Sequence, residues 1–221
     1  MIEGPYLQVY PGGMGGQKTA YAVLDAQKIL HGAPHLGTIK AFKPIESIRE
    51  GIDDGPNKEK IVSRSGAYLD KAILIPRNNP KEILNHIERG DFLIVIDECH
   101  MFENLTPVIE ELLNQRKIIF SSFLINDYGD RMFSTAKYLL SRADKCIRFY
   151  FGTCSVPGCT RPASHSQLFN SGEIAPYTGE IQTGDISTES KIKYEPRCSL
   201  HYIRPKWKSQ YLEHTEHLRQ H

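Results

Sequence analysis

The sequence predicts an α/β protein with a mostly parallel sheet, and three observations support this class. Extended and helical patterns alternate up to about residue 150. A glycine-rich turn joins the first extended run to the first helical pattern. Farther along, a short β-branched run, 94–96, ends in two carboxylates. Alternating strands and helices form right-handed βαβ units, which assemble into a parallel sheet covered by helices.

The elements follow from these patterns in chain order. The extended segments are Tyr6–Tyr10, Gly37–Phe42, Ala72–Ile75, Phe92–Asp97, Lys117–Phe123 and Lys145–Phe151. The helical segments are Thr19–Leu30, Lys81–Arg89, Leu105–Arg116 and Phe133–Ala143. The polar stretch 46–60, with its Asp-Asp-Gly-Pro-Asn run, predicts a turn or mobile loop.

The glycine-rich turn has the composition of a phosphate-binding loop. It lies between a strand and a helix, where backbone N–H groups and the helix dipole favour an anion. A lysine there can reach the β/γ-phosphates, and a threonine hydroxyl can serve Mg²⁺. The pattern GxxxxGK[ST] is broken by a glutamine at its second glycine, so a flexible glycine-rich turn is the alternative. The candidate nucleotide-binding residues are Gly12, Gly13, Met14, Gly15, Gly16, Gln17, Lys18 and Thr19.

The two carboxylates, Asp97 and Glu98, follow an apolar run too short for most helices. Such a run indicates a buried parallel strand. Nucleotide-binding sheets carry the Mg²⁺-associated carboxylate at a strand end of this kind. The alternative is that both acids are solvated and cap the next helix. The lysine-threonine turn after the first strand favours the nucleotide-binding interpretation.

The composition changes after Phe151, where Cys, Gly, Pro, Ser and Thr replace the helical periodicity. A segment so poor in apolar residues needs a cross-link, such as a bound metal or a disulfide, to stay folded. Two close pairs, C-x₄-C and C-x₂-H, provide a tetrahedral Zn²⁺ ligand set. The alternative is three buried or free cysteines and a surface histidine. The predicted metal ligands are Cys154, Cys159, Cys198 and His201, and we expect the remaining cysteines, Cys99 and Cys146, to be small core residues.

Composition limits the remaining possibilities. The chain has 221 residues, a length that is enough for one α/β core with an appendage. Its formal net charge is +1. Near-neutral charge gives no reason to expect a nucleic-acid-binding surface. No apolar stretch approaches the ~20 residues that span a bilayer, and no secretory signal is visible, so no membrane partner is expected. Five cysteines, an odd number, favour a reducing cytoplasmic location.

Several motifs in order resemble one family, the type II thymidine kinases of bacteria, large DNA viruses and animal cytosol. In the family loop G-P-M-x-[SA]-G-K-[ST], the chain matches the first glycine, the methionine, the lysine and the threonine. The family's K-P pair followed by an arginine corresponds to Lys43, Pro44 and Arg49, and its S-R-x-G to 63–66. Its D-E-[AG]-Q-F corresponds in part to 97–102, and its D-F-R-G-x-P-F to 127–133. Its final tyrosine and C-x-x-[CH] correspond to Tyr194 and 198–201.

The resemblance implies ATP- and Mg²⁺-dependent phosphorylation of the thymidine 5′-hydroxyl on a RecA-like parallel sheet with helices on both faces. It also implies a zinc-held lasso over the nucleoside and a homotetramer. Glu98 would be the general base, Arg49 would stabilise the transferring charge with Lys18, and Thr19 and Asp97 would hold Mg²⁺. The nucleobase slot would be formed by Met14, Phe102, Phe133 and Tyr194, whose alternative role is core packing.

The change in pattern and composition along the chain predicts the domain division: a nucleotide-binding domain at 1–150, a zinc-binding lasso domain at 151–205 and a polar tail at 206–221. Departures from the family pattern leave alternatives open. Gln17 replaces a glycine, and its Cβ penalises positive φ by ~1 kcal/mol or more, unless Gly15 and Gly16 absorb a shifted turn. His100 replaces the glutamine after the acid pair, and the segment 123–130 differs throughout. One alternative is a catalytically impaired, zinc-stabilised binding or structural relative. Another is an ATPase with a different substrate, although it would not explain the C-terminal motifs.

Overall fold

A six-stranded parallel sheet forms the centre of the computed structural model, which describes residues 4–48, 55–179 and 191–207. Its strands lie in the order β5-β2-β6-β7-β1-β8. They are β1 (Tyr6–Gly12), β2 (Thr38–Pro44), β5 (Ala72–Ile75), β6 (Asp91–Ile96), β7 (Ile118–Leu124) and β8 (Lys145–Cys146). All five neighbouring pairs are parallel. The predicted α/β class is confirmed.

Helices cover both faces of this sheet. Alternate residues of each strand point to opposite sides, so each central strand contributes apolar side chains to both faces. In β6, Leu93 and Val95 pack on one face with α1 (Lys18–Gly32). Ile94 and Ile96 pack on the other face, which three helices cover. These are α2 (Glu82–Asn85), α3 (Thr106–Asn114) and α4 (Ser134–Arg142). Since both faces are buried, the central strands are apolar throughout rather than alternating.

Two predicted elements are much shorter than expected. The helix predicted over 81–89 is only α2, because the Glu88 amide donates to Asp91 Oδ2 at 2.6 Å instead of continuing the helix to the Leu84 carbonyl. The Lys117 ammonium donates to the Glu88 and Asp91 carbonyls at 2.9 and 2.7 Å. The strand predicted over 145–151 pairs only as β8 and then leaves the sheet, with the Ile147 and Phe149 side chains exposed. It rejoins β1 through a bridge from Gly12 to Tyr150.

Three further sheets were not predicted. A hairpin, β3 (Lys60–Val62) with β4 (Tyr68–Asp70), follows the polar segment and packs near α1. After residue 150 the chain forms a cysteine-bearing hairpin, β9 (Gly152–Thr153) with β10 (Pro162–Ala163). Then comes an antiparallel sheet of β11 (His165–Asn170), β12 (Glu173–Ile174) and β13 (Ile192–Arg197), in the order β12-β11-β13. The proposed domain boundaries remain predictions.

Candidate active site and metal centre

The glycine-rich turn lies between the carboxyl end of β1 and the first residue of α1, as predicted. Gly15 has φ 73° and Gln17 has φ 60°, so both occupy the left-handed region. The turn has therefore not shifted entirely onto glycines, and the Gln17 side chain makes no capping hydrogen bond. The Lys18 ammonium is buried and donates to the Gly13 carbonyl at 2.9 Å. This contact holds the ammonium inside the loop.

The acid pair meets this loop at the end of β6. The Thr19 hydroxyl donates to Asp97 Oδ1 at 2.9 Å, and the Ser122 hydroxyl donates to the same oxygen. Asp97 is buried with 7% exposure, whereas the Glu98 side chain is 31% exposed. Ser122 was missed by the sequence analysis. The available signal was a polar residue within the apolar run of β7, opposite Tyr10 in β1.

Glu98 leaves the strand in a left-handed conformation, with φ 51° and ψ 41°. The Met101 amide closes the following turn by donating to the Glu98 carbonyl at 2.9 Å. Non-glycine residues in this region cost free energy, and such strain is concentrated at functional sites. The turn directs the chain away from β6 immediately after the buried Asp97, and leaves the Glu98 carboxylate partly accessible.

His100 lies beside this carboxylate as a neutral ring. The Leu124 amide donates to His100 Nδ1 at 3.2 Å, so Nδ1 is an acceptor and the ring proton is on Nε2. Burial, and then the nearby Lys18 charge, lower the pKa of His100 to about 3. Glu98 Oε2 lies 3.5 Å from Nδ1, a contact between two acceptors rather than an ion pair. The His100 ring packs on Phe133 at 4.9 Å.

The four residues predicted to form a nucleobase slot divide between two clusters. Phe102 is buried in the core beneath the sheet, and Phe133 packs against the same core. Met14 packs instead against a cluster that contains Tyr194. The other members of that cluster are Tyr128, Leu168, Ala175, Tyr177 and Ile192. Their role in binding remains a prediction, and Arg49 lies outside the described residues.

The tyrosine cluster is tied to the segment 127–131 by hydrogen bonds. The Tyr177 hydroxyl donates to Asp127 Oδ2 at 2.6 Å, and the Thr178 amide donates to the Tyr128 hydroxyl at 2.9 Å. Arg131 lies over the Tyr177 and Trp207 rings at 5.0 and 4.3 Å. Tyr128 and Tyr177 were missed because neither belongs to a periodic pattern.

The four predicted metal ligands converge. One donor atom from each of Cys154, Cys159, Cys198 and His201 lies within 4.8 Å of the others. The Cys154 and Cys198 sulfurs are each 3.5 Å from His201 Nδ1, and the Cys159 and Cys198 sulfurs are 3.9 Å apart.

These distances match a tetrahedral zinc site. Zn–S bonds of about 2.3 Å and Zn–N bonds of about 2.05 Å give S···S and S···N edges of about 3.8 and 3.6 Å. Burial raises the pKa of Cys154. Backbone amides at Val156 and Cys198, with the His201 and Cys198 side chains, outweigh burial and lower that pKa to about 6. A thiolate is the form that binds metal. Of the other cysteines, Cys99 is buried as expected, but Cys146 is exposed at the sheet edge, so the expectation for Cys146 was wrong.

In the described part of the chain, every helix is too short or too polar to span a bilayer. The fold and these contacts define a P-loop-like α/β protein with an appended Cys₃His cluster. Comparison with known sequences narrows that class. The chain belongs to the thymidine kinase family, whose sequence profile, described as Thymidine kinase, matches residues 40–202. The match begins in β2, after the glycine-rich turn.

Individual relatives agree with this assignment. The chain is 31% identical over 167 residues to a thymidine kinase of Coprothermobacter proteolyticus, covering 75% of this chain and 78% of that protein. It is 30% identical over 172 residues to a thymidine kinase of Mycoplasma capricolum, covering 76% of each. A thymidine kinase of Enterococcus faecalis is 28% identical over 167 residues, covering 74% and 81%. Membership of this family supports a phosphotransferase of the kinase type.

Proposed function

We propose that this chain is an ATP- and Mg²⁺-dependent deoxynucleoside kinase that phosphorylates the 5′-hydroxyl of thymidine. The hydrogen bond from Thr19 to Asp97 carries the proposal for phosphate chemistry, because it joins the glycine-rich turn to the acidic end of β6. Phosphate-binding loops pair a threonine hydroxyl with such an aspartate to hold Mg²⁺. The relatives named above support the thymidine part.

In this proposal each residue has one task. The nucleoside 5′-oxygen forms a bond to the γ-phosphorus of ATP as the bond from that phosphorus to the β–γ bridging oxygen breaks. The Glu98 carboxylate accepts the 5′-hydroxyl proton, and ADP leaves with the bridging oxygen. Lys18 stabilises the charge on the transferring phosphoryl group, with Arg49 from outside the described residues. Thr19 and Asp97 would hold Mg²⁺, which would supply further charge neutralisation.

The chemistry of the site is consistent with these tasks. Phosphoryl transfer depends on positioning and charge neutralisation more than on covalent catalysis. A partly exposed carboxylate beside a buried one separates the base from the metal ligand. Because His100 is neutral, it does not compete with substrate for the Glu98 carboxylate. We further propose that zinc, held by the four ligands at Cys154, Cys159, Cys198 and His201, keeps the C-terminal module folded, which comprises the described residues 152–179 and 191–207.

A nucleoside panel tests the proposal. Purified protein is incubated with ATP, Mg²⁺ and each of thymidine, deoxyuridine, deoxycytidine, deoxyadenosine and deoxyguanosine, and 5′-monophosphates are measured. We expect thymidine to be the best substrate, in a cytoplasmic salvage role. If only a nucleoside other than thymidine were phosphorylated, the kinase assignment would stand and the assignment of thymine as the preferred nucleobase would be rejected. Binding of ATP without phosphorylation of any nucleoside would favour the impaired relative.

A further inference from the structure

The cysteine hairpin, residues 152–163, contacts the glycine-rich turn with the end opposite its cysteines. A Cβ added to Gly13 would lie 2.6 Å from the Ala163 carbonyl oxygen. A Cβ added to Gly152 would lie 2.9 Å from the Gly15 carbonyl oxygen and 3.2 Å from that of Met14. Backbone meets backbone on both sides, so neither contact can relax by a change of rotamer. The backbone of the hairpin therefore packs directly against the backbone of the turn.

Tyr150, which precedes the hairpin, adds further backbone contacts with the turn. The Gly13 amide donates to the Tyr150 carbonyl at 2.9 Å, and the Tyr150 amide donates to the Pro11 carbonyl at 2.8 Å. A Cβ added to Gly16 would lie only 2.1 Å from the Tyr150 oxygen. The turn is thus held from the side of the C-terminal module as well as by its own strand and helix.

The far end of the same hairpin carries two of the four metal ligands. Only two residues pair on each strand, Gly152 with Ala163 and Thr153 with Pro162. The Cys154 amide then donates to the Arg161 carbonyl at 3.0 Å. A two-stranded hairpin is at best marginally stable alone. Cys154 is only two residues from Gly152, so the metal site and the contact with the glycine-rich turn lie within one short element.

We propose that Gly13 and Gly152 are positioning residues that couple the metal site to the nucleotide site. Metal binding holds the hairpin against the glycine-rich turn, and the turn then presents its amides to the nucleotide phosphates. This inference rests on the proposed function, because it requires ATP at the turn and zinc at the cysteines. The coupling is reciprocal, so zinc and ATP change each other's affinity by the same factor.

A double titration of the wild-type protein tests the coupling. Zinc affinity is measured by competition with a chelator of known affinity, with and without saturating ATP and Mg²⁺. ATP affinity is measured by calorimetry on zinc-loaded and zinc-depleted protein, while circular dichroism monitors the helices. We expect each ligand to tighten binding of the other by about 5-fold or more. Equal affinities in both halves of the titration would overturn the proposal.

Two alanine variants test the contacts separately from the ligands. Gly152→Ala leaves residues 12–19 and all four ligands unchanged, and is expected to weaken ATP binding by about 5-fold or more. Gly13→Ala leaves the hairpin unchanged, and is expected to weaken zinc binding. Gly32→Ala is the matched control, because its Cβ would meet no atom within 4 Å outside the backbone of its own helix, and it should change neither affinity.

The outcomes separate this inference from the proposed function. Wild-type affinities for ATP and zinc in folded Gly13→Ala and Gly152→Ala would reject the coupling and leave the kinase proposal intact. A wild type that binds neither ligand would reject both proposals. If a variant fails to fold, the wild-type titration still decides, because it requires no substitution.

Discussion

The left-handed conformation of Gln17 predicts that glycine at this position stabilises the protein. At φ 60° the Cβ of an L-residue crowds the following carbonyl, which costs about 1–2 kcal/mol. Glycine removes that cost but adds about 0.4–1 kcal/mol of entropy to the unfolded chain. The Gln17 side chain is exposed and makes no capping hydrogen bond, so little is lost with it. Gln17→Gly should therefore gain close to 1 kcal/mol, or roughly 2–4 °C in Tm for a domain of this size.

Thermal unfolding of wild type, Gln17→Gly and Gln17→Ala measures this gain. Alanine removes the same side-chain contacts but keeps the Cβ, so it should not raise Tm. Because the strain is already present without nucleotide, its relief should appear in folding rather than in binding. ATP affinity should stay within about twofold of wild type. An equal Tm in the glycine and alanine variants would refute the reasoning from backbone strain.

Three further predictions concern the acid pair, the buried histidine and the cysteines. Glu98→Gln should keep ATP binding and lose about 10²–10⁴-fold in kcat, whereas Asp97→Asn should mainly raise the Mg²⁺ concentration required. Full activity of the glutamine variant would exclude Glu98 as the base. Since the pKa of His100 is lowered from 6.5 to about 3, the unfolded chain takes up this proton first on acidification. The free energy of unfolding should then fall below pH 6.5, by about 2 kcal/mol at pH 5. Urea titrations of His100→Gln should lack this loss, and an identical pH slope in the variant would contradict a buried neutral ring. Cys198→Ser should lose the bound zinc measured by elemental analysis, whereas Cys146→Ser should retain it. Absence of zinc from freshly purified wild type would remove the metal assignment.

The sheet was predictable because its strands are short apolar runs separated by clear turns. The run 94–96 has both faces buried, so its lack of alternation was itself informative. The early end of α2 was not predictable, because the Glu88 amide donates to the Asp91 carboxylate rather than back to the Leu84 carbonyl. Hydrophobic periodicity carries no information about this side-chain acceptor.

Parts of the candidate site were also predictable from the sequence, and other parts were not. The metal ligands could be predicted because two short spacings fix which residues can share one ion, and the donor atoms do converge. The glycine-rich turn and the acid pair could be placed because parallel strands end at one edge of a sheet. The separation of Phe102 from Tyr194 could not be predicted, since each is an apolar residue whose partners lie far away in sequence.

The left-handed backbone of Glu98 has a consequence for laboratory evolution of this protein. Glycine adopts φ 51° without a steric penalty, so a library screened only for heat resistance should enrich Glu98→Gly. The enriched clones would lack the carboxylate that the proposed reaction needs. Thermostable variants of this chain should therefore be selected with turnover as a second criterion, and sequencing position 98 in the survivors would show which of the two pressures prevailed.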